Sequence, residues 1–203
     1  MKPRARIFHA LHIRAALPAV CVFVAGCISN PSVPPGPVAR QAVGTFSLAA
    51  RLSGGDGEQS ASGRLEWRRV PGFDRWTLLS PLGQIVARLV AGPEGAELMF
   101  SNGERRYAAQ TTDLLPELFP GLADLGLPPS RLAGWVQAAP SPDAEVRALD
   151  MIGRPARIID EGWIVDYLDY RDASPEALPR LINISRGKFR LRLSIDQWET
   201  ETP

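Results

Sequence analysis

The sequence predicts a mainly β fold, one long antiparallel sheet that curls and is interrupted once by a short helical segment. Three observations carry that expectation. Period-two alternation runs through most of the chain from Val43 onward, Asn102-Gly103 stands between two such runs as a tight-hairpin signal, and the period changes between Thr111 and Pro140. Short strands joined by turns at this spacing favour a curled antiparallel sheet. No internal repeat, low-complexity tract or second domain is visible.

Residues 1–26 read as a lipoprotein signal peptide. Lys2, Arg4, Arg6 and Arg14 make a basic start with no acidic residue. Ala15 to Val24 is apolar but shorter than the roughly 20 residues a spanning helix needs. Val24-Ala25-Gly26-Cys27 then sets small residues before a cysteine whose thiol can take a diacylglycerol. The mature chain is expected to begin at lipidated Cys27, with that covalent lipid as its only prosthetic group. Cleavage there leaves 177 residues, enough for one domain with a core, and 19 basic against 22 acidic side chains. Such a mixed surface gives no electrostatic reason to expect nucleic acid.

Residues 27–42 contain Pro31, Pro34, Pro35 and Pro37 with few large apolar side chains, and predict an extended tether. The domain proper is placed at 43–203. Phe46, Leu48, Ala50 and Leu52 alternate with Thr45, Ser47, Ala49 and Arg51; Gly63, Leu65 and Trp67 alternate with Arg64, Glu66 and Arg68. Further strands are expected at Arg75 to Ser80, Gln84 to Val90, Ala96 to Phe100 and Glu104 to Ala109.

The helical segment follows. Thr112 or Asp113 is positioned to cap a helix carrying Leu114, Leu115, Leu118 and Phe119, which Pro116 confines to little more than one turn. Pro129 suits a first helical position, and Leu132, Trp135 and Val136 fall on one face of the helix it opens. Strands resume at Arg157 to Asp160, Trp163 to Tyr170, Leu181 to Arg186 and Phe189 to Trp198. In the last, Phe189, Leu191, Leu193 and Ile195 alternate with Arg190, Arg192, Ser194 and Asp196. Ten strands follow from the pattern, and Val146 to Ile152 is consistent with one more.

The composition removes most catalytic options. His9, His12 and Cys21 all lie in the segment that is discarded, and Lys188 is the only lysine left. A chain without histidine or free thiol has no Ser-His-Asp triad, Cys-His pair or ordinary zinc site. Carboxylate chemistry alone survives, and Asp160, Glu161, Asp166 and Asp169 read as solvated positions at strand ends.

Ser80-Pro81-Leu82-Gly83 has β-turn chemistry, with Pro at the second position and Gly at the fourth. A leucine at a turn tip is either an isolated surface residue or an apolar finger for lipid or protein.

Phe46 onward, Gly63-Arg64-Leu65-Glu66-Trp67, Asp74 to Ser80, Ser80-Pro81-Leu82-Gly83-Gln84 and Asn102-Gly103 to Tyr107 resemble the LolB family. So do Leu127-Pro128 through Trp135, Gly162-Trp163 through Tyr170 and the terminal run ending at Trp198. The order and spacing of these segments, rather than any single one, carry the resemblance, which covers nearly the whole mature chain. It implies an incomplete, half-open barrel of about eleven antiparallel strands with a helical lid over an apolar cavity. It also implies no catalysis: a monomeric receptor, lipid-anchored in the outer membrane and facing the periplasm, takes acylated lipoproteins from the soluble carrier LolA and inserts them. Leu82, between Pro81 and Gly83, matches the family's membrane-insertion loop, with Ser80 where some members have Asn. Ile28 is not the Asp that retains lipoproteins in the inner membrane of enterobacterial systems.

Under that resemblance the cavity falls to Phe46, Leu48, Leu65, Trp67, Trp76, Leu78, Ile85, Leu89, Leu98, Tyr107, Trp163, Val165, Phe189, Leu191 and Leu193. The lid falls to Leu115, Leu118, Leu132 and Trp135. The same residues also suit a packed core. Two rival readings follow from the residues: an envelope lipoprotein scaffold with a filled core, and a carboxylate-dependent envelope hydrolase.

Overall fold

The computed structural model describes residues 36–119 and 125–200. The signal segment and Cys27 lie outside the described residues. Eleven strands form one sheet: β1 (Phe46–Gly55), β2 (Ser60–Val70), β3 (Phe73–Leu79), β4 (Ile85–Gly92), β5 (Gly95–Phe100) and β6 (Arg105–Ala108) precede the helical segment. β7 (Glu145–Leu149), β8 (Pro155–Asp160), β9 (Trp163–Tyr170), β10 (Pro179–Arg186) and β11 (Phe189–Thr200) follow it. The spatial order is β6-β5-β4-β3-β2-β1-β11-β10-β9-β8-β7, all antiparallel. Every neighbour but one is consecutive in sequence. The exception, β1 beside β11, joins the two meanders with Leu48 opposite Trp198 and Leu52 opposite Leu193. The sheet is unclosed, with β6 and β7 as its edges, and the helical segment carries the chain from one edge to the other.

Alternation along each strand builds the inner face. Phe46, Leu48, Ala50 and Leu52 of β1, Leu65 and Trp67 of β2, Leu89 of β4, and Phe189, Leu191, Leu193 and Ile195 of β11 are all buried in one apolar cluster. Arginine, serine and acidic side chains, with a few valines on β4, occupy most of the alternate, outward positions, as a half-buried strand allows. The eleventh strand is β7, which ends at Leu149, earlier than the stretch to Ile152 suggests. Asp150 ends it: its Oδ1 accepts the amides of Ile152 at 3.0 Å and Arg154 at 2.9 Å, so the chain turns there.

A 3-10 turn (Thr111–Asp113) leads into α1 (Leu115–Leu118), and α2 is Pro129–Val136. Pro129 opens α2 as expected. Neither Thr112 nor Asp113 caps α1. The chain enters it straight from the 3-10 turn through Leu114, already in helical conformation, so no extended residue is free to present a capping oxygen.

The stretch expected as a tether is docked at its end. The Val38 amide donates to the Gly153 carbonyl at 2.8 Å. The Arg40 guanidinium donates to the carbonyls of Pro175 at 2.7 Å and Ala177 at 2.8 Å. Backbone carbonyls of an ordered loop fix that side chain, so the chain belongs to the domain several residues before the expected boundary at Val43.

Candidate functional site

Two features stand out as a site: the concave apolar face with its lid, and the turn between β3 and β4.

The inner face is dominated by aromatic rings. Phe46 and Trp67 meet edge-on at 5.0 Å between centroids, and Trp67 and Trp76 lie 5.1 Å apart. On the other wing Trp163 sits 6.1 Å from Phe189. The lid closes over them. Leu115 and Leu118 of α1 and Leu132 and Trp135 of α2 are buried in the same cluster, with Trp135 5.9 Å from Trp163. All four residues assigned to the lid are therefore buried against the inner face. The side chains of these helices stand in the concavity.

Of the fifteen residues assigned to the cavity, twelve are buried in this cluster and Leu78 packs against it. Ile85 and Tyr107 are corrected. Pairing of β3 with β4 runs Leu78 to Ala87 and then Leu79 to Ile85, a bulge that turns Ile85 to the rim, where it is 38% exposed. Tyr107 is 69% exposed on the outer face: it pairs with outward Glu97 and its hydroxyl donates to that carboxylate at 3.1 Å. The inward partner of Leu98 is instead Arg106, whose Nε lies 3.7 Å from the Glu117 carboxylate on α1. Alternation on a four-residue edge strand does not say which parity faces in.

Several buried members were not assigned: Ile158, Tyr167, Tyr170, Ile182, Ile184 and Trp198. Alternation in β9 and β10 carries that signal for Tyr167, Ile182 and Ile184. Three donors in the interior have no hydrogen-bond partner among the described residues: Trp76 Nε1, Trp163 Nε1 and the Tyr167 hydroxyl. Burial pushes the Tyr167 phenol well above its ordinary range. It stays a neutral donor.

The lid helix is held by a polar clasp. Asp160 is not solvated but 1% exposed. Its carboxylate accepts from Arg131, from the indole of Trp135 at 2.8 Å and from the Ser141 hydroxyl at 3.2 Å. Arg131 also donates to Glu161 at 2.7 Å. A buried carboxylate survives because these donors replace its hydration. At the far end of α2, buried Gln137 accepts the Val43 amide at 2.9 Å and donates to the Ala133 carbonyl at 2.9 Å. The remaining acids named from sequence lie outside: Asp166 pairs with Arg157 and Asp169 with Arg180.

The β3–β4 turn is built as its residues dictate. The Gly83 amide donates to the Ser80 carbonyl at 2.9 Å, and the Ser80 amide donates to the Gln84 carbonyl at 2.8 Å. The Gln84 amide also reaches the Ser80 hydroxyl at 3.2 Å. Gly83 has φ +83°, a left-handed conformation that a side chain would strain. The frame is tight, and Leu82 projects from it at 89% exposure. Exposed Pro81 and Gly83 flank it.

The family model described as outer membrane lipoprotein LolB matches residues 44–198. An outer-membrane lipoprotein LolB of Azoarcus sp. is 50% identical over 181 residues, covering 87% of this chain and 92% of that protein. Another, from Thiobacillus denitrificans, is 35% identical over 176 residues, covering 86% and 91%. A third, from Dechloromonas aromatica, is 33% identical over 199 residues, covering 95% and 100%. The half-open sheet, the buried lid and the projecting leucine thus belong to a sequence matched along nearly its whole length, and the chain is a member of the outer-membrane lipoprotein LolB family.

Proposed function

We propose that this chain receives acylated lipoproteins from the periplasmic carrier LolA, shelters their acyl chains between its concave face and lid, and releases them into the outer membrane. The observation that carries the reading is the pairing of an apolar concave face, shut by a short-helix lid, with one leucine held out in water. As an outer-membrane lipoprotein the protein works at that bilayer, with Cys27 as the acylated residue and no other prosthetic group. It works as a monomer and performs no bond-breaking step.

The energetics set the need. Acyl chains gain about 0.8 kcal/mol per methylene removed from water. Three chains with about 45 methylenes would cost about 36 kcal/mol to expose together, an upper bound because free chains cluster. Transfer therefore has to pass from one apolar shelter to the next. Leucine, tryptophan and phenylalanine of the inner face offer that shelter without polar demand, and the unpartnered donors of Trp76, Trp163 and Tyr167 suit ester carbonyls at the head of the chains. The lid side chains leave as the guest enters. Leu82, entering the bilayer, places the mouth of the shelter at the lipid where the chains are lower still in free energy. No external energy source is required.

The test is a transfer assay with purified carrier, acylated cargo and liposomes. Cargo should move to liposomes only when this protein is present, and an apolar dye should compete for the interior. A scaffold with a permanently filled core would bind no dye and move no cargo.

A further inference from the structure

We propose that the outer face of β2, β3 and β4 is a contact strip for anionic phospholipid headgroups, which lays the sheet along the bilayer and holds the Leu82 turn against it. The proposal rests on the reading of Leu82 as a membrane-inserting residue.

Most other arginines on the outer face are engaged: Arg157 pairs with Asp166, Arg180 with Asp169, Arg105 with Glu97 and Arg51 with Asp196, while Arg190 donates to the Gly187 and Phe189 carbonyls and Arg192 to the Asn183 side chain. Arg64, Arg68, Arg75 and Arg88 are exposed, and no ion pair or hydrogen bond from their side chains is formed among the described residues. The register makes the arrangement costly. Arg68 stands directly opposite Arg75, and Arg64 directly opposite Arg51. Like charges facing each other across a ladder destabilise a sheet, and Glu66 is the one acid set among them. An anionic partner removes that repulsion.

The apolar residues of the same strip say which partner. Phe73 and Val90 face outward beside Arg75, Val86 lies outward beyond Arg88, and the three are exposed. Leu82 ends the strip on one side and Phe73 on the other. Arginine interleaved with single exposed apolar residues is the pattern of a surface that lies in a membrane interface, with cations at phosphate level and apolar side chains dipping below. The acyl shelter lies on the opposite, inner face, so cargo does not cover this strip.

The experiment uses the lipidated protein reconstituted in phosphatidylcholine vesicles with and without roughly one third phosphatidylglycerol, and reads phenylglyoxal labelling of each arginine by mass spectrometry. Arg192, on β11, is the internal reference. Labelling of Arg64, Arg68, Arg75 and Arg88 should fall about fivefold in the anionic vesicles and recover in high salt. The double variant Arg68→Gln/Arg75→Gln should lose that protection at Arg64 and Arg88 while its melting temperature at low salt rises, opposite directions that a purely structural role would not give. Equal labelling in both vesicles overturns the proposal. Protection that appears only on adding carrier, whatever the lipid, also overturns it and makes the face a protein-docking surface. Loss of cargo delivery in Leu82→Glu tests the insertion reading separately, because labelling of the wild-type strip does not depend on delivery.

Discussion

Trp135 of the lid helix donates its indole N–H to the Asp160 carboxylate at 2.8 Å, and Asp160 ends β8 directly opposite interior Trp163 of β9. One buried oxygen thus links the lid to the wall it covers. Removing the carboxylate strands the buried indole and leaves the half-buried Arg131 with only Glu161 and Ser141. Asp160→Ala should lose about 3–5 kcal/mol in urea unfolding. Asp160→Asn, which keeps an acceptor for Trp135, should lose less. Wild-type stability in both would remove the clasp from the account.

The two lid helices should not move alike. α2 is fastened to Asp160 through both Arg131 and Trp135 and is followed by bonded Gln137, whereas the one side-chain tie from four-residue α1 is Glu117, which meets Arg106 only at 3.7 Å. Hydrogen exchange should show α1 amides opening roughly tenfold faster than those of α2, and acyl cargo should accelerate both. Equal rates would indicate that the lid moves as one piece.

Leu82→Glu leaves every hydrogen bond of the turn in place, because those bonds come from Ser80, Gly83 and Gln84. Stability should stay within about 0.5 kcal/mol of wild type, as for other surface positions. Cargo should still be accepted and should fail to reach liposomes. Leu82→Phe should deliver normally.

Acid should weaken the loops before the sheet. Amides of Gln59 and Glu58 hold the Asp56 carboxyl below its ordinary range, and the hydroxyl and amide of Ser174 do the same for Asp172. For Asp150 burial pushes upward, and the Arg154 side chain together with the Arg154 and Ile152 amides outweighs it. Folded-state values below the unfolded ones mean that the stabilisation is present at neutral pH. It is lost as pH falls through the carboxylate range. Melting temperature should be flat above about pH 5 and decline below about pH 4. A midpoint that rises on acidification would contradict these assignments.

The strands and lid were legible because burial imposes a period, and β11 shows it plainly in Phe189, Leu191, Leu193 and Ile195. What escaped were features set by partners distant in sequence. Asp160 looks like any acid at a strand end until Arg131, 29 residues earlier, is folded against it. Arg106 looks outward until Glu117 arrives above it. The bulge that turns Ile85 away depends on how β3 meets β4, which no local pattern records. The turn chemistry of Ser80 to Gly83 was readable in full, since Pro81 and Gly83 each have one conformational reason to be there.

Docking of Val38 on Gly153 fixes the length of the protein's leash. Ten residues, hence eleven Cα-to-Cα steps, separate it from Cys27, and at full extension those steps span no more than about 36–40 Å. With the acyl group at Cys27 as proposed, Val38 stays within that distance of the bilayer. The domain's leucine therefore meets the bilayer at a high effective concentration, and a weak contact suffices because every encounter is intramolecular.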